Sequence, residues 1–296
     1  MTTNAQPGIL QPVPAAGRHL FFTLTNLAGA QAALTALAQL ADGDAAVAGL
    51  GLPLVRDLGQ EIPGLRDFPE LLVYGMGFAV PATPSALWVW LRGDDQGDLV
   101  LATRGFEQAL APAFVLERVT GTFRHGAGRD LTGYEDGTEN PQGAAAISAA
   151  LVQGAGGGLD GASFAAVQQW VHDFDAFERM APATRDGAIG RRLSDNAELP
   201  DAPVSAHVKR TAQEVFNPPA FVLRRSMPWA RDTRAGLLFL AFGKSLDAFE
   251  AQLRSMTGQS DGVADALFGF SRPVTGAYFW CPPMRAGRLD LSALGL

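Results

Sequence analysis

RDLTGYEDGTENP, residues 129–141, sets four carboxylates (Asp130, Glu135, Asp136, Glu139) among the turn formers Gly133, Gly137, Asn140 and Pro141. Glycine tolerates backbone angles closed to other residues and lets the chain come close to a ligand. Pro141 steers Asn140 away from helical geometry. The acids therefore sit on an irregular loop, where catalytic groups concentrate. A plain solvated turn has the same composition, so the segments around the loop have to distinguish the two.

Upstream, FVLERVTGTF (114–123) and LWVWLR (87–92) read as strands, with a helix from about 97 to 111 between them. HLFFTLTNL (19–27) is another strand, followed by a helix over 29–41 on Leu34, Leu37 and Leu40, closed by Asp42-Gly43. Residues 1–17 read as a proline-bearing extended arm, and the prolines of 44–86 leave that stretch without a detailed assignment. Downstream, the Gly- and Ala-rich 142–161 is a candidate junction. In SFAAVQQWVHDFDAFERM (163–180), Phe164, Val167, Val171 and Phe174 recur at helical spacing, which predicts an amphipathic helix with His172 on its polar side. After a polar loop (187–203), FVLRRSMPW (221–229) begins as a strand and GLLFLAF (236–242) is one. SLDAFEAQLRSMTG (245–258) is a helix with Ser245 as N-cap, a Leu246/Phe249/Leu253/Met256 stripe and Gly258 at its end. AYFWCPP (277–283) is the last apolar run.

The strand-then-helix unit at HLFFTLTNL recurs at GLLFLAF. Strands mixed with helices, without regular βαβα alternation, predict an α+β fold. No G-x-G-x-x-G follows a strand, which argues against a dinucleotide site. Two domains of similar plan are expected, 1–145 ending in the acidic loop and 146–296.

The 296 residues are 47% hydrophobic, enough for a substantial core. A net charge of −7 and a pI near 5.1 argue against nucleic acid as a partner and mildly favour cationic or neutral small substrates. The lone Cys281 rules out an intrachain disulfide framework and suits a reducing compartment. The first residues show no basic-then-apolar leader, and no apolar run approaches the roughly 20 residues of a membrane helix. The cytoplasm is the expected location.

Gly133, Asp136 and Gly137 meet a G-x-x-D-G motif. With RDLTG before it and TENP after, the loop resembles that of the dye-decolourising peroxidases, in their bacterial B-type branch. The resemblance implies duplicated ferredoxin-like domains with antiparallel sheets and peripheral helices. One haem b per chain would be held mainly by the C-terminal half, with Asp136 above it taking part in splitting peroxide.

Of the four histidines (His19, His125, His172, His207), the residues alone leave His125 and His207 both open as axial ligand. SAHVKRT (205–211) resembles the family's proximal segment and implies His207. Asp265 resembles the carboxylate behind that histidine, with Asp261 as competitor. In LRRSMP (223–228), alternate side chains of an extended segment share a face, so Arg224 and Ser226 point one way and Arg225 the other. The family pattern R-x-N/S-M-P implies Arg224 as distal arginine, with Ser226 where some members carry asparagine. Arg191 resembles the arginine that holds a haem propionate, with Glu198 near the same edge. Gly137, Thr138 and Glu139 are implied to touch haem or close its pocket.

Hydrogen peroxide and small aromatic, phenolic or dye-like reductants are the implied partners, and a homo-oligomer the expected state. Some relatives are packaged in protein shells through C-terminal peptides, but the tail RAGRLDLSALGL gives no basis for it here. A carboxyl group titrates near ~3.9 and an imidazole near ~6.5, so an aspartate proton carrier implies turnover favoured by acid. Two rival readings stand beside this one. A haem-handling protein, storing or delivering haem or releasing its iron, would share every haem contact. A divalent-cation site on Glu135, Asp136 and Glu139 suits hard-cation chemistry, though the spacing matches no EF-hand loop.

Overall fold

Four strands come from the N-terminal half: β1 (Ala16–Leu24), β2 (Ala46–Gly51), β3 (Leu87–Gly93) and β4 (Phe114–Phe123). Six come from the C-terminal half: β5 (Ser163–His172), β6 (Leu223–Arg224), β7 (Met227–Arg231), β8 (Arg234–Gly243), β9 (Ser271–Pro273) and β10 (Ala277–Cys281). The structure is a computed structural model that describes residues 4–296. The strands join in one ten-stranded sheet of order β4-β1-β3-β2-β10-β5-β8-β6, with β7 paired to β8 and β9 to β5. All these pairings are antiparallel.

Helices α1 (Ala30–Leu40) and α2 (Gln96–Leu110) connect β1 to β2 and β3 to β4, so the first half runs βαββαβ with strand order 4-1-3-2. Helix α3 (Gly143–Ala150) lies between the halves. In the second half β5 leads to α4 (Phe174–Arg179), α5 (Pro182–Ile189) and the single turn α6 (His207–Arg210); α7 (Asp247–Met256) then joins β8 to the last strands. The order β10-β5-β8-β6 repeats the plan of the first half. The duplicated ferredoxin-like arrangement is thus visible in the strand order itself.

Trp90 on β3 and Phe242 on β8 have ring centroids 6.4 Å apart, although three strands separate β3 from β8 in the sheet. The sheet therefore curls until its halves face each other across a core of Phe21, Trp88, Trp90, Leu240 and Phe242, all fully buried. The outer face carries the amphipathic helices: Leu34 and Leu37 of α1, Phe106 of α2, and Phe249 and Leu253 of α7 are buried against it. Each large apolar side chain so buried contributes about 1.5–3 kcal/mol. Asp95 caps α2 by accepting from the Asp98 N–H at 3.0 Å.

Two expectations need correction. The helix predicted over 163–180 is the strand β5 followed by the short α4. Strand β5 is central and buried on both faces, Phe164 and Ala166 in one core and Ala165 and Val167 in the other. Such a strand loses its polar–apolar alternation, and its apolar residues then mimic helical spacing. The expected extended arm instead contains a helical turn at Pro7–Leu10, while its first three residues lie outside the described range. Among the described residues no helix is long and apolar enough to cross a membrane.

Candidate active site

The acidic loop is folded back on itself. Its N–H groups at Asp136 and Asp130 donate to Gly128 O (3.1 Å) and Tyr134 O (2.9 Å), and Gly133 N–H donates to Asp130 O (2.9 Å). Gly137 has φ +79°, which a side chain would resist, and this turn carries the chain from Asp136 into Asn140. Asn140 clasps strand β6: its Nδ2 donates to Arg224 O (3.0 Å) and its Oδ1 accepts from Arg224 N–H (2.7 Å). This two-point contact holds Asp136 beside Arg224, whose Nη1 lies 3.7 Å from Asp136 Oδ1.

Both residues face a cavity of about 440 Å³ that His207 also lines. The Nδ1 of His207 lies 2.7 Å from Asp265 Oδ2. Asp265 is fully buried, and its Oδ1 also accepts from Leu267 N–H (2.9 Å). The Asp265 carboxylate therefore accepts a hydrogen bond from Nδ1–H, leaving Nε2 as the ring nitrogen free for a ligand. Asp261 does not reach His207 and pairs instead with Arg210 at 2.7 Å. Arg210 in turn donates from Nε to Ser255 O (3.0 Å), which fastens the turn carrying His207 to the end of α7.

Gly190 ends α5 in the left-handed region (φ +92°) and turns the chain into Arg191. Arg191 is largely buried at the cavity rim, with Nη2 at 2.6 Å from Glu139 Oε1 and 3.4 Å from Glu198 Oε2. Lys209 Nζ donates to Glu198 Oε1 at 2.9 Å. The Lys209 ammonium, with Arg191 beside it, holds the Glu198 carboxyl below its ordinary range. Thr138 lines the cavity and accepts from Asn196 Nδ2 (2.9 Å), which donates also to Glu135.

Ser226 is placed apart from the group. It lines a separate cleft of about 10 Å³ that also reaches Asp136, and its Oγ accepts from Leu240 N–H at 3.4 Å. The strand breaks between β6 and β7, so the alternation expected for Arg224 and Ser226 fails there. Arg225 does point away from Arg224, donating to Ile9 O and Leu10 O at 3.2 and 2.7 Å, and burial lowers its guanidinium to about 10. Gly137 shapes the loop without lining the cavity. Glu135, Asp136 and Glu139 each have a different basic or amide partner, and among the described residues no group of three His, Cys, Asp or Glu converges on a metal-sized site.

Several lining residues escaped the sequence reading. The misassigned strand β5 presents Gln168, Trp170 and His172 to the cavity, as strand alternation requires. Gln168 Nε2 and Trp170 Nε1 are buried donors with no acceptor in the protein. His172 joins Asp130 and Ser271, both also on the wall. Tyr134 lines the cavity and donates to Asp186 Oδ1 (2.5 Å), and no motif marked it. Leu237 and Phe239 of β8, with Phe249 and Leu253 of α7, make the rest of the wall apolar.

These residues fit a large, mostly apolar ligand with acidic groups at one edge. The volume lies within the usual range for small-molecule sites, the orphaned donors await acceptors, and cations stand at the rim. The fold and site together define a duplicated ferredoxin-like protein built around one enclosed cofactor-sized chamber.

The family model described as "Dyp-type peroxidase, C-terminal" matches residues 127–286. A dye-decolorizing peroxidase of Rhodococcus erythropolis is 30% identical over 93% of this chain and 85% of its own length. The one from Mycolicibacterium paratuberculosis is also 30% identical, over 74% of this chain, and the match spans only 63% of that relative. Among solved structures, a putative dyp-type peroxidase from Shewanella oneidensis superposes with TM-score 0.88 at 26% identity, covering 99% of this chain and 98% of that one. A DypB variant from Rhodococcus jostii RHA1 in complex with heme gives TM-score 0.82 at 25% identity, over 95% of this chain and 97% of that one. The chain belongs to the dye-decolourising peroxidase family, and the DypB likeness agrees with its B-type branch.

Proposed function

We propose that this chain is a haem-dependent peroxidase that reduces hydrogen peroxide and oxidises phenolic or dye-like reductants, with one haem b in the cavity. The observation that supports this best is the shared chamber, lined by the Asp136–Arg224 pair and by His207, whose ring is backed by the buried Asp265. When bound, the haem iron supplies the redox chemistry between peroxide and the organic reductant.

The chain's own residues do the rest. His207 would hold the iron through Nε2, while Asp265 fixes the tautomer and direction of its ring. Arg191 and Lys209 hold the cofactor's carboxylates, to which a guanidinium is matched by its paired donors. Asp136 accepts a proton from one oxygen of an incoming peroxide and returns it to the oxygen that leaves as water. Arg224 stabilises the negative charge developing on that departing oxygen. The cleft at Ser226 has room for about one water beside Asp136.

The test is reconstitution with hemin, followed by peroxide-driven bleaching of a phenolic dye. The Soret band of a haem–imidazole complex should form, and Asp136→Asn should keep that band while losing about 10²-fold or more in turnover. Undiminished bleaching by Asp136→Asn would remove Asp136 from the mechanism. A loaded chain that never bleached dye would favour haem storage or delivery, and one that could not take up hemin would end both readings.

A further inference from the structure

Asp130, His172 and Ser271 form a buried hydrogen-bonded chain for which the proposed mechanism has no use. His172 Nε2 lies 2.9 Å from Asp130 Oδ1, and His172 Nδ1 lies 2.7 Å from Ser271 Oγ. The serine and histidine are 1% and 9% exposed, and the Asp130 side chain 14%. The other carboxylate oxygen, Oδ2, already accepts from Thr132 N–H (3.0 Å) and Oγ–H (2.5 Å). An ionised carboxylate only accepts, so His172 donates from Nε2, and in its neutral form Nδ1 accepts the Ser271 hydroxyl proton. Every polar atom of the chain is then satisfied. Ser271 and His172 face each other in the β9–β5 register, so two strands hold the imidazole in place.

The chain meets the acidic loop at a sensitive point. Asp130 starts the turn whose backbone bonds close at Tyr134 O and Gly128 O, the latter accepting the Asp136 N–H. The Asp136 carboxylate has only the 3.7 Å approach of Arg224 to orient it, so its place is set by this backbone. Asp130 carries the least exposed charge of the loop, and its anchor lies in the C-terminal half while the loop follows β4 of the N-terminal half.

We propose that Asp130, His172 and Ser271 are positioning residues, a clamp that ties the acidic loop to the cavity wall and thereby sets where Asp136 stands. The inference rests on the peroxidase reading for its kinetic consequence, though not for its structural one.

The test compares His172→Leu, Asp136→Asn and the double variant in the hemin-loaded chain, reading the rate per bound haem at which peroxide changes the Soret band. His172→Leu should slow it about tenfold or more. In the Asp136→Asn background the same change should cost less than twofold, because residues acting through one group are not additive. His172→Gln, which keeps a donor for Asp130, should recover to within about threefold of the parent, and Ser271→Ala, which removes a single bond, should fall between. A second reading uses apoprotein alone: amide exchange across 128–140 should quicken in His172→Leu or, if that variant does not fold, in Ser271→Ala. A parent chain whose Soret band ignores peroxide defeats the peroxidase reading, and amide exchange then judges the clamp. Unchanged exchange, a His172→Leu rate equal to the parent's, or an undiminished loss in the double variant would each overturn the clamp.

Discussion

Gly190→Ala tests how the fold brings His207, the proposed iron ligand, to the cavity, without touching any chemical group. Gly190 has φ +92°, and a Cβ there would run into Val208 Cγ2, well inside van der Waals contact, and meet Ala206 Cβ at 3.2 Å. Val208 is the neighbour of His207 on α6, so a shift to relieve the clash moves the imidazole. The left-handed backbone costs an alanine about 1–2 kcal/mol, and forcing aside a packed side chain about 1–3 kcal/mol more. A loss of roughly 2–5 kcal/mol lowers the thermal midpoint by about 3–8 °C in a chain of this size. Gly154→Ala is the control: its φ is +73° with no atom within 4 Å of the added Cβ, so only the backbone cost applies. The double variant Gly190→Ala/Val208→Ala removes the atom struck and should regain part of both the midpoint and the hemin affinity. The assay is circular dichroism melting of the apoprotein, then hemin titration at the Soret band. If Gly190→Ala melts with Gly154→Ala, or Val208→Ala restores nothing, the close approach of α5 and α6 does not position His207.

Asp265→Ala deletes the acceptor of two hydrogen bonds, from His207 and Leu267. The first is charge-assisted, and the pair should cost about 2–4 kcal/mol in urea unfolding of the apoprotein; a change under about 0.5 kcal/mol would show that the buried contact is energetically idle. Asp130 carries a pH signature: burial alone would raise its pKa, but the bonds from His172 and Thr132 outweigh it and hold the carboxyl below its usual range. A depressed acid contributes stability above its unfolded pKa, near ~3.9, and loses it as pH falls through the folded value. Asp130→Asn should therefore trail the parent most at neutral pH and draw level in strong acid, a trend that urea midpoints at several pH values would confirm or refute.

The strands legible in the sequence were short apolar runs closed by turn formers. LWVWLR and FVLERVTGTF fall on β3 and β4, and the helices between 96 and 110 and between 247 and 256 follow their apolar stripes. Strand β5 defeated the reading because, buried on both faces, it runs into α4 with no Gly or Pro to mark its end, whereas the equally buried β3 stops at a turn. The error carried a functional penalty. A helix would have turned His172 toward solvent, whereas the strand sets it on the cavity wall in line with Gln168 and Trp170. The pairing of β2 with β10, which joins the two halves into one sheet, is equally silent in the sequence. It depends on residues some 230 positions apart whose match is one of burial and register.

Asp265 and Asp261 show where a site stops being readable. They sit four residues apart in one short segment with the same charge and reach, so motif likeness could rank them but no local rule could separate their roles. What separates them is burial. Asp265 begins the turn Ala266–Gly269, and the Leu267 N–H that it caps draws its carboxylate inward, to full burial beside His207. Asp261 stays at the surface and is taken by Arg210. Arg210 is thus paired with Asp261, and among the described residues the side chain bonded to the buried Asp265 carboxylate is the His207 imidazole. A neighbouring ion pair thus reserves one carboxylate for the histidine, which is why removing Arg210 should disturb the His207 ring although the two side chains never meet.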